Sequence, residues 1–329
     1  MRREEYSISG FETAGRVHAH GVAETTIAHR AEIEGVGLHT GAAIRMCFVP
    51  APARTGIVFR RTDLDSVDRA VTDIPARFDR VTETTLSTLI SNEAGHSVGT
   101  IEHVMAAIAA CGLDNVVIEV SGGETPVMDG SAEPFVRLIR QVGLRSLDAR
   151  RRVIRVLRPV VVEEAGKRAA LLPHADDSQS FVLSFEIEFD NPVIGHETFE
   201  ADVSDPAFAG MILSARTFGF LKDVEAMWSM GLGRGGSLEN SIVIDGEKVL
   251  NEGGLRYRDE FVRHKLLDAL GDLSLGGAVI AGRYEGVRSG HALNNRLLRA
   301  LLGNLDAWTF EDAVQDDAWA MGPVAIPAD

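Results

Sequence analysis

Hydrophobic positions recur along this chain with two periods, and the change from one to the other marks its elements. "TTIAHRAEIEGVG" and "AAIRMCFVPA" carry the short, β-branched patterning of strands, around a Gly-rich turn, "GVGLHTG". "VGTIEHVMAAIAACGLDNVVIEV" predicts a helix and then a strand. Thr100 can cap the helix, which starts near Ile101, runs through the Ala-rich stretch and stops at Gly112. The loop "ETPVMDGSAEPF" leads into a second helix, "AEPFVRLIRQVGL". Farther on, "VIRVLRPVVVEE", "KRAALLPH" and "FVLSFEIEF" predict strands, and "FVRHKLLDALGDLSLGGAVIAGRYEG" is again a helix, a turn and a strand. Placing His103 against His264 aligns two helices, each with a strand starting about 13 residues on. This weak repeat predicts two similarly built αβ halves, with both histidines near the interface between them, a common place for an active site.

The remaining boundaries follow from polarity. Residues 1–22 are polar and aperiodic, a loose tail. The basic run "RSLDARRRVIRVLRP" marks a boundary, giving a first αβ domain over 23–148, a second over 149–312 and a C-terminal tail over 313–329. A length of 329 residues suits two domains, and 45% hydrophobic with 25% charged residues is ordinary for a soluble protein with a core. The 48 acidic against 33 basic residues, a formal charge of -15, argue against general nucleic-acid binding. An anionic small molecule is still compatible, because a few local Lys or Arg suffice. Cys47 and Cys111 make neither a disulfide framework nor a Cys-x-x-Cys pair, which points to a reducing compartment. The N-terminal residues lack the apolar core of a signal peptide, and no 18-residue apolar run spans a membrane. The expectation is a soluble, cytoplasmic protein.

Within "RDEFVRHKLLDALGDLSL", His264, Asp268 and Asp272 recur at four-residue steps and form one stripe, opposite Val262, Leu266, Leu270 and Leu273. Such a stripe ordinarily faces water. Its other reading is metal chemistry. A catalytic zinc takes three protein ligands, and His264 with Asp268 could supply two from one helix face. The His-Glu-x-x-His pattern is absent, so a third ligand must come from elsewhere. "TIEH" offers His103, with Glu102 beside it to take a proton; otherwise Glu102 merely suits a helix start. His291 in "RSGHALNN" is a candidate general acid or part of a helix cap. Asp272 could hold an imidazolium and raise its pKa, and Lys265 could stabilise charge developing on a carbonyl oxygen. The run "MGLGRGGSLEN" could cradle phosphates, yet it lacks a Walker ending and reads equally as a flexible turn.

Together these segments form a known order. "GVGLHTG", "TIEHVMAAIAACGLDN", "PVMDGSAEPF", "SARTFGF", "DEFVRHKLLDALGDL" and "SGHALNN" resemble the UDP-3-O-acyl-N-acetylglucosamine deacetylases (the LpxC family) from about Thr25 to about Phe310. These are the zinc amidases of lipid A biosynthesis in Gram-negative bacteria. The resemblance implies an α+β fold of two similar αβ sandwich domains, stacked helix layer to helix layer, each with a small insertion. It implies His103, His264 and Asp268 as zinc ligands and Glu102 as the base that activates the attacking water. His291, paired with Asp272, would protonate the leaving amine, while Thr217 and Lys265 would steady the oxyanion. Among substrate contacts, Phe189 would stack on uracil and Arg288 would lie near the diphosphate, where the family usually has Lys. Leu38, His39 and Phe218 would also touch substrate. Leu221, Val224, Gly236, Ser237, Ser241 and Val243 would line the acyl-chain passage, giving the Gly-rich run a different task. Ser241 replaces a smaller apolar residue, which leaves the bore of that passage open.

The expected reaction is hydrolysis of the N-acetyl group, giving acetate and the free amine, by a monomer that binds a UDP-linked acylated amino sugar and no nucleic acid. Iron could replace zinc in a site of two histidines and one aspartate. An acylated substrate allows transient contact with a membrane surface. Two alternatives stand beside this reading: a sugar kinase using "GLGRGG" as phosphate loop, and a sugar-nucleotide binder without catalysis.

Overall fold

Among the described residues the predicted helices and strands recur, with the strands in five sheets, of which the five- and seven-stranded ones are the largest. The computed structural model describes residues 22–205, 207–229 and 231–314. The tails expected at 1–22 and 313–329 lie, apart from Val22, Ala313 and Val314, outside the described residues. The chain is α+β. Among the described residues there are seven helices: α1 (Arg69–Thr72), α2 (Glu102–Ala110), α3 (Glu133–Val142), α4 (Phe208–Ile212), α5 (Leu221–Ser229), α6 (Glu260–Ser274) and α7 (His291–Gly303).

A five-stranded sheet holds Ala31–Val36, Ala43–Pro50, Val116–Val120, Ile57–Arg61 and Asp73–Pro75, in that order. Val116–Val120, the strand after α2, runs antiparallel to Ala43–Pro50 and parallel to Ile57–Arg61. A seven-stranded sheet is centred on Val279–Val287, the strand after α6, which runs parallel to Arg152–Val156 and to Phe181–Glu188. The predicted repeat therefore has a counterpart in topology. In both cases the helix carrying a site histidine feeds a strand inside a sheet.

The basic boundary run forms two strands. Leu144–Arg150 pairs with Ala23–Ile27, whereas Arg152–Val156 joins the seven-stranded sheet. Between them the buried Arg151 pairs with Asp114 at 2.7 Å. The exposed positions of Leu144–Arg150 are Arg145, Ser146, Asp148 and Arg150, so its charged side chains are turned to solvent.

α2 and α6 pack along each other, and α7 lies against α6 and over Val160–Glu164 and Lys167–Leu172. Side chains from both halves, including Phe48, Phe59, Phe185, Phe261 and Leu297, form one continuous core. The α2–α6 approach depends on Gly271. A Cβ there would sit 2.0 Å from the Glu102 carbonyl oxygen, a backbone atom that cannot step aside. A glycine costs a helix interior about 1 kcal/mol relative to Ala, and here it lets α6 touch the first turn of α2.

One capping expectation is overturned. Thr100 does not cap α2: its φ is +55°, and its hydroxyl donates to Glu124 Oε1 at 3.0 Å. Glu124 also accepts from the amides of His39 and Thr40, so Thr100 belongs to the network that shapes the Gly-rich turn.

Candidate metal centre

The His-Asp-Asp stripe faces protein. His264, Asp268 and Asp272 are 2%, 4% and 3% exposed, because their side of α6 is covered by α2 and by Thr88, on the segment before α2. Glu102 and His103, on the first turn of α2, are equally buried. His103 Nε2 lies 3.6 Å and His264 Nε2 3.4 Å from the same oxygen, Asp268 Oδ1. Ligand atoms of the three residues all fall within 4.8 Å of one another.

Protonation follows from the neighbours. His264 Nδ1 lies 3.1 Å from the Ala215 carbonyl, which can only accept, so Nδ1 carries the proton and Nε2 presents its lone pair. Burial pushes the His264 pKa down to about 4, which keeps the imidazole neutral. Burial opposes the charge on Asp268, but its cationic neighbours outweigh it, Lys265 above all once His264 is neutral, and hold the carboxyl well below its ordinary value. The Lys265 ammonium donates to Asp268 Oδ2. Asp268 Oδ1 is buried and accepts no hydrogen bond from any described residue. An anionic oxygen with no donor, facing two imidazole nitrogens, has the donor set of a cation site.

Beside it lies a saturated network. Asp272 Oδ2 accepts from His291 Nδ1 at 2.9 Å and from Asn294 Nδ2 at 2.8 Å, while Oδ1 accepts from the Thr88 hydroxyl at 2.6 Å. The amide of Asn294 is oriented by Tyr284 and Ser289, whose hydroxyls donate to its Oδ1 at 2.7 and 3.0 Å. The Thr88 amide donates to Glu102 Oε2 at 3.0 Å. Burial raises the Glu102 pKa above the ordinary carboxylate range. For His291 burial works against the charge, but the Asp272 carboxylate, with Glu102 and Asp268 also facing it, lifts the pKa to about 9. A buried carboxylate with raised affinity for protons thus stands near an imidazolium, the pairing required of a base and an acid.

A sequence profile of the UDP-3-O-acyl N-acetylglycosamine deacetylase (LpxC) family matches residues 24–303. The chain belongs to this family. The UDP-3-O-acyl-N-acetylglucosamine deacetylase of Phenylobacterium zucineum (strain HLK1) is 48% identical over 296 residues, 90% of this chain and 99% of that one. The enzyme of the same name from Chromohalobacter salexigens is 47% identical over 299 residues, 89% and 96% of the two chains. As a family member the chain is a hydrolase acting as a deacetylase.

Residues that the LpxC resemblance assigns to substrate lie in three places. Phe218 joins the metal side to an aromatic group: its ring centroid is 6.2 Å from that of His264 and 5.9 Å from that of Phe189. Thr217, just before it, is fixed by its amide, which donates to Gly130 O at 2.8 Å. Leu38 and His39 meet the Gly-rich run, where the amides of Gly235 and Arg234 donate to their carbonyls. A Cβ at Gly236 would lie 3.7 Å from Leu38 Cδ1, and one at Gly235 only 2.2 Å from Gly37 O, so bare backbone is needed for this approach. Ser237 and Ser241 are drawn into a turn around Asn240, Val243 is held by Asn251, and Leu221 and Val224 lie on α5. Arg288 stands apart: its guanidinium is taken by Glu188 at 3.0 Å and by the Gly166 carbonyl. A diphosphate would have to displace Glu188 from it.

Sequence reasoning missed Thr88, Asn294, Tyr284, Glu124 and Gly271. Only Gly271, a glycine inside a leucine-rich helix, carried a visible signal. A cavity of about 620 Å³ lies elsewhere between the halves, lined by Phe78, Met105, Ile108, Leu273 and Trp308 among others, and neither Glu102 nor any candidate ligand borders it.

Proposed function

We propose that this chain removes the N-acetyl group of UDP-3-O-acyl-N-acetylglucosamine, with zinc as cofactor, as the committed step of lipid A biosynthesis. Family membership supports the reaction, and the donorless Asp268 Oδ1 between two imidazole nitrogens supports the metal. His103 and His264 through Nε2, and Asp268 through a carboxylate oxygen, would hold it. A divalent cation there supplies a Lewis acid for the acetyl carbonyl and makes water nucleophilic at neutral pH. Two histidines and one carboxylate accept iron(II) as well as zinc, so the resident metal follows availability.

The chain's own residues handle the protons. Glu102 takes one from the attacking water, and its raised pKa makes it a stronger base than an exposed carboxylate. His291, kept cationic by Asp272, gives a proton to the departing nitrogen. Lys265 and Thr217 hold the negative charge that develops on the carbonyl oxygen. Acetate and the glucosamine amine leave. Phe189 takes the uracil face and Arg288 the diphosphate. Leu38, His39, Phe218, Leu221, Val224, Gly236, Ser237, Ser241 and Val243 border the sugar and acyl chain.

The same reading takes 23–148 and 149–312 as two related sandwich domains meeting through their helix layers; the α2–α6 contact and the matching parallel strands support it. It makes the chain a cytoplasmic monomer that touches a membrane surface only in passing. No helix among the described residues is long and apolar enough to cross a membrane.

The test is acetate release from UDP-3-O-acyl-N-acetylglucosamine before chelation, after it, and after one equivalent of zinc is restored. Loss and recovery are expected. Turnover indifferent to chelation would sink the metal mechanism, and ATP turnover without zinc would favour the kinase. Bound substrate without turnover, in the zinc-loaded protein, would favour the binder.

A further inference from the structure

We infer that Thr88 is a positioning residue that holds the base and the acid of this site in one geometry. Its amide fixes Glu102, and its hydroxyl fixes Asp272 and, through it, His291. The inference rests on the roles proposed above for Glu102 and His291.

Thr88 is 2% exposed and sits on the segment that precedes α2. Its amide and its hydroxyl serve two different carboxylates of the site. The amide donates to Glu102 Oε2 at 3.0 Å, and the hydroxyl donates to Asp272 Oδ1 at 2.6 Å. Its carbonyl accepts from Ile101, the residue before α2, at 3.4 Å. One residue of the first half is therefore bonded to the start of α2 and to the last turns of α6.

The hydroxyl has a task that no other described group performs. Asp272 Oδ2 is shared by His291 and Asn294, and Oδ1 accepts only from Thr88. A carboxylate pinned through one oxygen can rotate about its Cβ–Cγ bond, whereas one pinned through both cannot. Rotation would swing Oδ2 away from His291 Nδ1 and turn the ring whose Nε2 must reach the leaving nitrogen. The backbone here is itself specified. Leu86, two residues earlier, holds φ +67° with its side chain about half exposed, an unfavourable arrangement for leucine unless the segment must take that path.

Thr88→Val keeps the amide and the shape but removes the hydroxyl, and Thr88→Ser restores the hydroxyl. Thr88→Val is expected to lower kcat about 10- to 100-fold, the weight of one hydrogen bond to a charged group, with KM and bound metal unchanged. Thr88→Ser should stay within about threefold of the parent. In an Asp272→Ala background, Thr88→Val should cost nothing more, because its route to His291 is already gone. Equal losses in Thr88→Val and Thr88→Ser would reduce the effect to packing, and full additivity with Asp272→Ala would also overturn the inference. A crystal structure of Thr88→Val gives a reading independent of turnover: the Asp272–His291 contact should lengthen, and its retention at 2.9 Å refutes the positioning role even if the proposed reaction is wrong. Failure of the parent chain to release acetate with metal bound instead refutes the functional reading alone.

Discussion

Asp268 and Asp272 are one helical turn apart on α6, buried to the same degree, and opposite in what surrounds them. Asp272 has three donors across its two oxygens. Asp268 has Lys265 on one oxygen and, on the other, no hydrogen-bond donor from any described residue. A buried carboxylate without partners is costly, so an oxygen left bare marks a place where something outside the chain completes the structure. Satisfaction on every side marks the reverse, a group whose orientation is the point. On the proposed reading the two aspartates of one stripe would be a ligand and an orienter, and composition cannot separate them.

The sharpest way to break this comparison is to remove each in turn. Asp268→Ala is expected to lose bound metal and all measurable turnover together, since two imidazoles alone do not make a catalytic site. Full activity with stoichiometric metal in that variant would end its role as ligand. Glu102→Ala comes next. Metal content should be unchanged while turnover falls about 10²- to 10⁴-fold, the span of a general base. A fall explained wholly by metal loss would make Glu102 a prop for His103.

Asp272→Ala should also keep its metal and lose about 10- to 100-fold in kcat, as outer partners of metal sites commonly do. Its better signature is pH. In the parent chain His291 holds its proton up to about 9, so activity should decline as pH rises through that value. Without Asp272, burial dominates and the His291 pKa falls, which moves the alkaline limb to lower pH. The sign for stability agrees. A raised folded-state pKa contributes stability fully below the unfolded value of about 6.5, and this is lost as pH rises through about 9. An alkaline limb unmoved by Asp272→Ala would assign it to another group.

Much of this contrast was legible along the chain, and the missing part has a physical reason. Four-residue spacing places His264, Asp268 and Asp272 on one helix face, and adjacency places Glu102 beside His103. Which way that face points was not legible, because it depends on α2 lying close enough to cover it, and this in turn depends on Gly271. Thr88 and Asp272 are 184 residues apart, so no local pattern announces their bond. Thr100 shows the opposite failure: a Thr before a helical run is a good cap by type, but Glu124 offered its hydroxyl a charged acceptor. Strands and helices follow periods that the chain repeats, whereas polar networks follow single encounters.

The smallest effect tests how far the orienting network extends. Tyr284 is fully buried, and burial keeps its phenol protonated, so it serves Asn294 as a donor. Asn294 must aim its NH2 at Asp272, and an amide turned over would present an oxygen to a carboxylate instead. Ser289 donates to the same Asn294 oxygen, so Tyr284→Phe leaves the correct orientation specified. The expected cost is about 1 kcal/mol of stability by chemical denaturation, with kcat changed less than about threefold. Tyr284→Phe combined with Ser289→Ala removes both donors to that oxygen. The pair should then lose more kcat than the product of the single losses, because only the double variant frees the amide to turn. Simple multiplication of the two losses would confine the orienting network to Asp272 and its direct partners.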